Sequence, residues 1–256
     1  MTIKIIGGEF EKSVFPGGEV HVRVIKAPRY ADNYVEVQAD LKSSEDIMTL
    51  LLLADALGAM GAPITKLYIP YIPYARQDRI CNTGEAFSIK VMAGLINSIN
   101  ADEVWFADPH SDVTPALIDN GIIMGVDHIF KFRDDLLKDK MLVCPDAGAE
   151  KRVSKLKRPY IMATKVRDPL TTKILETKVY ADDLTGQTCL IVDDICDGGR
   201  TFIELAKVLR AKGAKSVELY VTHGIFSQGF HPFHGLIDKI YTYDGIRINT
   251  LDVQSL

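Results

Sequence analysis

No pair of cysteines in this chain has the CxxC spacing of a zinc ribbon or a thioredoxin-type site. The four cysteines, Cys81, Cys144, Cys189 and Cys196, are scattered, and their expected state is buried and reduced. There is no excess of positive charge: the net charge of −4 gives no basic footprint for a nucleic acid. A bulk negative charge does not exclude a phosphate site, which needs only a few local cations. Long apolar runs are also missing. The longest apolar stretch, Met48 to Met60, is too short and too interrupted to span a bilayer, so no membrane partner is expected. The N-terminus lacks the apolar core of a secretion signal, which makes the cytoplasm the default expectation. No GxxxxGK[ST] loop occurs, which excludes a Walker-type phosphate site. Low-complexity tracts, short tandem repeats and long linkers are absent as well.

What is present suits a globular enzyme. Hydrophobic residues make up 47% and charged residues 25%, enough apolar material for a proper core. The 256 residues suffice for two compact domains or one large one. Short β-branched runs predict strands at Ile3–Ile6, Val20–Val24, Tyr34–Val37, Lys66–Pro70, Glu103–Ala107, Met141–Cys144, Tyr160–Ala163, Thr188–Val192, Ser216–Val221 and Lys239–Tyr243. Helical spacing predicts helices over Ser44–Leu57, capped by Ser43, Ser44 or Asp46, over Phe87–Ile99, from about Gly148, and over Thr201–Lys212 with Gly213 as its stop. Strand–helix alternation implies parallel sheets with helical crossovers, the α/β class. The pattern occurs twice, which predicts two domains, 1–130 and 131–256, meeting near Asp127–Asp139.

The segment Leu190–Thr201, LIVDDICDGGRT, carries the strongest chemistry. An apolar strand runs into two acids, then a glycine-containing loop, then a helix. Ligands of open α/β sheets bind at the carboxyl ends of strands. A loop entering a helix N-terminus presents backbone N–H groups and a favourable dipole to phosphate. Gly198 and Gly199 allow close backbone approach, and Thr201 adds a hydroxyl. Asp193 and Asp194 are placed to hold ribose hydroxyls, directly or through a metal. A DD pair alone is better explained by a buried strand with an acidic turn and a helix cap. The complete pattern favours ribose-phosphate binding.

This segment resembles the phosphoribosyl-diphosphate loop shared by type I phosphoribosyltransferases and ribose-phosphate pyrophosphokinases. Five further stretches resemble the pyrophosphokinases. Tyr74–Arg79 matches their YARQDR signature at every position, which implies ATP contacts from Arg76, Gln77, Asp78 and Arg79. Arginine suits phosphate because its planar fork donates in two directions. Asp108-Pro-His-Ser-Asp112 is similar to DLHAD, and implies that His110 meets a metal–phosphate complex and takes part in catalysis. Cys144–Arg152 is similar to PDAGGAKR; Asp146 becomes a second metal-linked residue, while Ala149 and Glu150 depart from the pattern. Phe15–Glu19 resembles an adenine-binding loop, with Phe15 and Glu19 retained and Gly17 in place of a polar residue. Ala163-Thr-Lys-Val-Arg167 aligns with D-K-R-R, which makes Lys165 and Arg167 the expected catalytic cations, followed by a closing loop over Asp168–Lys178. GAK at 213–215 and THGIFS at 222–227 complete the resemblance.

The resemblance implies two phosphoribosyltransferase-like domains, magnesium as cofactor and ATP as co-substrate. It implies transfer of the β,γ-diphosphate of ATP to the anomeric hydroxyl of ribose 5-phosphate. Asp193, Asp194 and Asp197 would orient the ribose, and Gly198, Gly199, Arg200 and Thr201 its phosphate. A homo-oligomer, dimer or hexamer, is implied too. The usual D-T-x-G-T is here Asp197-Gly-Gly-Arg-Thr201, roomier and with one more cation, which also suits ADP-ribose as acceptor in NAD resynthesis. Two other readings stay open: a phosphoribosyltransferase, which leaves YARQDR and Phe15–Glu19 unexplained, and a non-catalytic regulatory homologue. The sequence ends at Leu256, short of the family's usual length, so regulation by ADP is expected to be weak or absent.

Overall fold

The computed structural model describes residues 3–28, 34–167 and 174–255. Two compact units divide the chain, Met1–Met124 and Gly125–Leu256. The division falls before residue 130 because Gly125 opens a short helix whose Phe130 stacks on Tyr220 of the second unit, ring centroids 4.6 Å apart.

The first unit runs β1 (Ile3–Ile5), β2 (Glu9–Val14), β3 (Val20–Lys26), β4 (Glu36–Ala39), α1 (Ser44–Ala59), β5 (Lys66–Tyr68), α2 (Ser88–Asn97), β6 (Glu103–Ala107), α3 (Val113–Leu117) and β7 (Gly121–Met124). Its five-stranded sheet has the order β1-β4-β5-β6-β7, parallel except for β1. Strands β2 and β3 form a separate antiparallel hairpin. Helix α1 starts at the N-cap Ser43. Ser43 Oγ accepts from the Asp46 amide at 3.1 Å, and the Asp46 carboxylate accepts from Ser43 Oγ at 2.8 Å. Leu50, Leu53 and Leu57 recur at helical spacing and are fully buried with Val37, Leu67, Ile69, Ile89 and Phe106. The strand expected at Tyr34–Val37 is instead Glu36–Ala39, since pairing with β1 sets Ile3 opposite Ala39 and Ile5 opposite Val37.

The second unit runs α4 (Val126–Phe130), a 3-10 turn at Asp134–Leu136, β8 (Met141–Cys144), α5 (Ala147–Ser154), β9 (Tyr160–Arg167), β10 (Ile174–Val179), β11 (Thr188–Cys196), α6 (Arg200–Ala211), β12 (Ser216–Gly224), a 3-10 turn at His231–Phe233, β13 (Lys239–Tyr243) and β14 (Ile248–Asp252). The seven strands lie in the order β10-β9-β8-β11-β12-β13-β14, with the outermost pair on each side antiparallel. The central strands β11 and β12 are buried along nearly their whole apolar lengths, as strands covered on both faces must be. Helix α6 buries Phe202, Leu205, Ala206 and Leu209, one face of the helix. It stops in a Schellman motif: Gly213 at φ +91° donates to Arg210 O, and Ala214 donates to Leu209 O. A side chain at Gly213 would meet Thr185 Oγ1 at 2.7 Å, so the stop requires glycine.

Three thiols are buried as expected, and burial pushes Cys144 and Cys196 up to about 12 and Cys189 up to about 11. The expectation fails for Cys81, which is exposed because its loop is held by Glu85 accepting from the backbone amides of Cys81 and Asn82. The expected loop Asp168–Lys178 is in part a strand: from Ile174 the chain pairs antiparallel with β9. Residues 168–173 lie outside the described residues. Among the described residues no helix is long and apolar enough to cross a membrane.

Candidate functional site

In the second unit the motif residues gather at the carboxyl ends of neighbouring parallel strands. Strand β11 continues past Val192, where sequence alone ends it, because β12 keeps pairing: Asp193 lies opposite Val221 and Ile195 opposite His223. Its pairing with β8 stops at Ile191, so both acids stand beyond the end of that ladder. There they meet α5. Arg152, itself buried, donates from Nη1 to Asp193 Oδ1 at 3.1 Å and lies 3.6 Å from Asp194 Oδ2 through Nη2. The same Asp193 oxygen accepts from the Asp194 amide at 2.9 Å. Burial, reinforced by the Asp194 charge, holds the Asp193 carboxyl well above the usual carboxylate range against the pull of Arg152.

After Cys196 the chain turns through half-buried Asp197 and exposed Gly198 to Gly199, which caps α6 in the left-handed region at φ +75°. As a glycine, this N-cap has no side chain of its own to cap the helix, and amide donors at a helix start suit an anion's oxygens. Arg200 is exposed and Thr201 half-buried in the first turn. The Cys196 carbonyl accepts from the amides of Ile225 (2.8 Å) and Phe226 (3.2 Å), which ties the loop after β12 to this one. Phe233 then packs under Gly199. Asp146 follows β8 and caps α5, Oδ1 accepting from Gly148 (3.0 Å) and Ala149 (3.2 Å). Lys165 and Arg167 occupy the end of β9, opposite Thr177 and Ile174 of β10.

In the first unit the two remaining phosphate motifs follow adjacent strands, β5 and β6. Arg76, Gln77 and Arg79 are exposed. Asp78 is not: it is buried, and both its oxygens accept from Arg79, at 2.7 and 3.0 Å. Asp78, expected as an ATP contact, is engaged by Arg79 in the structure. Hydrogen bonds from Arg79 and then Ser111, with the nearby charges of Arg79 and His110, outweigh burial and lower its pKa to about 2. Asp78 therefore joins the YARQDR loop to the His110 loop. Two residues here hold positive φ despite their side chains, Tyr74 at 64° and Asp108 at 33°, strain of the kind functional loops carry. At the tip of the β2–β3 hairpin, Phe15 is 53% exposed and tilted against His21, ring centroids 5.8 Å apart. Glu19 beside it is exposed, and its carbonyl accepts from the Phe15 amide.

The Asp78 clamp makes a stability prediction. A carboxyl whose pKa falls on folding stabilises the fold above its unfolded value and loses that contribution as pH drops. For Asp78 the contribution is complete above about pH 4 and gone near pH 2. Water around the exposed Arg79 screens part of it, which leaves roughly 1–2 kcal/mol. Asp78→Asn is expected to unfold at lower urea than the parent at pH 7, with the gap shrinking as pH approaches 2. A constant gap across that range contradicts the clamp.

Sequence reasoning missed Arg152, Ser111 and Phe233 as supports. Arg152 closes the PDAGAEKR motif, a signal that was available; Ser111 and Phe233 carry none.

Comparison with known proteins follows the same lines. Residues 2–99 match a family model described as the N-terminal domain of ribose phosphate pyrophosphokinase, and residues 117–232 one described as a phosphoribosyl transferase domain. A ribose-phosphate pyrophosphokinase of Pyrococcus abyssi is 32% identical over 234 residues, covering 88% of this chain and 79% of that one. One from Mycoplasma genitalium is 32% identical over 233 residues, covering 88% and 70%. The crystal structure of phosphoribosylpyrophosphate synthetase from Mycobacterium smegmatis superposes with a TM-score of 0.76 at 25% identity, over 93% of this chain and 80% of that one.

Proposed function

The chain belongs to the ribose-phosphate pyrophosphokinase family, and from that premise we propose that it transfers the β,γ-diphosphate of ATP to the anomeric hydroxyl of ribose 5-phosphate. The observation that carries this reading is the β11–α6 loop: two acids on the strand, then a helix N-terminus whose N-cap is a glycine. The acids suit vicinal hydroxyls, and the helix start suits a phosphate.

The anomeric oxygen attacks the β-phosphorus in line. The bond between that phosphorus and the oxygen bridging to the α-phosphate breaks, AMP leaves, and the hydroxyl proton passes to solvent. Such a transfer needs positioning and charge neutralisation more than covalent help. Asp193, Asp194 and Asp197 orient the ribose, and the 198–201 loop holds its phosphate. Phe15 and Glu19 take the adenine, with Arg76, Gln77 and Arg79 on the nucleotide. Lys165 and Arg167 offset charge that develops on the transferred group.

Magnesium fits the donor set as a metal carried by the phosphates. Among the described residues no cluster of three or more His, Cys, Asp or Glu is assembled to hold an ion alone. Magnesium is commonly held by one or two carboxylates plus substrate phosphates and water. His110 and Asp146 are the side chains we assign to face metal-bound phosphate. The ion supplies neutralisation of phosphate charge when bound.

A second acceptor has one observation in its favour. A side chain at Gly198 would meet only Gln228 Cγ, at 3.9 Å, so this position leaves room for a 5-phosphate that is itself esterified, as in ADP-ribose. Purified protein with magnesium, ATP and either acceptor separates the readings. AMP with phosphoribosyl diphosphate supports the main one, and AMP with ADP-ribose 1-diphosphate the second. No AMP with either acceptor sinks both and leaves a regulatory homologue.

A further inference from the structure

Arg152 sits near the end of α5 with 8% of its side chain exposed. Its guanidinium straddles consecutive carboxylates, with Nη1 on Asp193 Oδ1 at 3.1 Å and Nη2 3.6 Å from Asp194 Oδ2. Neighbouring side chains on a strand normally leave from opposite faces. Here one planar fork gathers two of them, which a lysine's single ammonium cannot reproduce. Further contacts tighten the arrangement: Asp193 Oδ1 also accepts from the Asp194 amide, and the helix that carries Arg152 is fixed at its start by the Asp146 cap. Burying a guanidinium is costly unless carboxylates compensate it.

We propose that Arg152 is a positioning residue for the acceptor: it fixes the spacing of the Asp193–Asp194 pair to match two vicinal hydroxyls of the ribose, acting through the acids without touching the sugar. The inference rests on reading β11–α6 as the ribose-phosphate loop.

The test compares Arg152→Met and Arg152→Lys with the parent and with Asp193→Asn. It reads the KM of each substrate, kcat, and ribose 5-phosphate binding by calorimetry. Loosening acids placed to this accuracy is expected to raise the acceptor KM about 30-fold in Arg152→Met, with the KM for ATP within about twofold. Arg152→Lys restores the charge without the fork and is expected to recover part of that loss; if the methionine variant does not fold, this variant carries the test. Combined with Asp193→Asn, Arg152→Met is expected to add little, since both act on one unit. Equal rises in both KM values, an unchanged acceptor KM, or fully additive losses overturn the proposal. A parent that binds ribose 5-phosphate no better than its variants overturns the inference alone. A parent that neither binds it nor releases AMP overturns the loop reading, and the inference falls with it.

Discussion

Gly199→Ala is expected to cost the second unit roughly 3 kcal/mol and to lower its melting temperature by roughly 10 °C. Two independent effects add. The backbone at φ +75° is a left-handed conformation that a Cβ disfavours by roughly 1–2 kcal/mol. That Cβ would also stand 2.3 Å from Phe233 Cζ and 2.8 Å from Cε1, and Phe233 is fully buried with no space to retreat into. Any relief moves the loop that opens α6, so acceptor affinity is expected to fall with stability. The neighbouring Gly198→Ala is the control. Its backbone has no positive φ and its surroundings are open, so its melting temperature is expected to stay within a few degrees of the parent. Thermal melts of the two variants decide the matter. Equal destabilisation of both would mean that Phe233 does not dictate the glycine.

Lys165→Ala is expected to lower kcat roughly 100- to 1000-fold while leaving the melting temperature near that of the parent. The reason lies in what diphosphate transfer demands. Negative charge shifts along the bridging oxygens as AMP departs, and a cation already in place answers it without reorganisation. Lys165 stands on β9 beyond the strand's pairing with β8, opposite Thr177 of β10. Steady-state kinetics at saturating ATP and acceptor give the answer. A drop confined to KM would assign Lys165 to binding, and a lost fold would assign it to structure.

A contrast between apolar and polar strands explains what the sequence discloses. Glu103–Ala107, Met141–Cys144 and Lys239–Tyr243 occur with the bounds read from sequence, since each is an apolar run flanked by polar residues. Strands β2 and β14 escape that reading because polar residues interrupt them and no apolar run marks them, and β7 because its apolar run is only three residues long. Strand β11 is longer than its apolar run for a different reason: partners on β12 hold Asp193 and Asp194 in the ladder, and two adjacent acids look like a strand end until that partner is known.

Motif positions were legible because their place at strand ends follows from local pattern. Who supports whom was not. Asp78 reads as one more ATP contact of its motif, and only the fold buries it against Arg79 and Ser111. Arg152 and Asp193 are far apart in sequence, and the parallel pairing of β8 with β11 is what brings α5 to the acids. Phe233 under Gly199 is likewise a contact between distant segments.

The most direct test follows the fate of the β-phosphorus. ATP labelled at the β-phosphate is incubated with ribose 5-phosphate, magnesium and the purified protein, and the products are separated. Transfer of the whole diphosphate predicts that the label leaves the nucleotide and appears in a sugar diphosphate, with one unlabelled AMP for each product molecule. Label retained in ADP, with ribose 1,5-bisphosphate as the other product, would contradict the account at its centre.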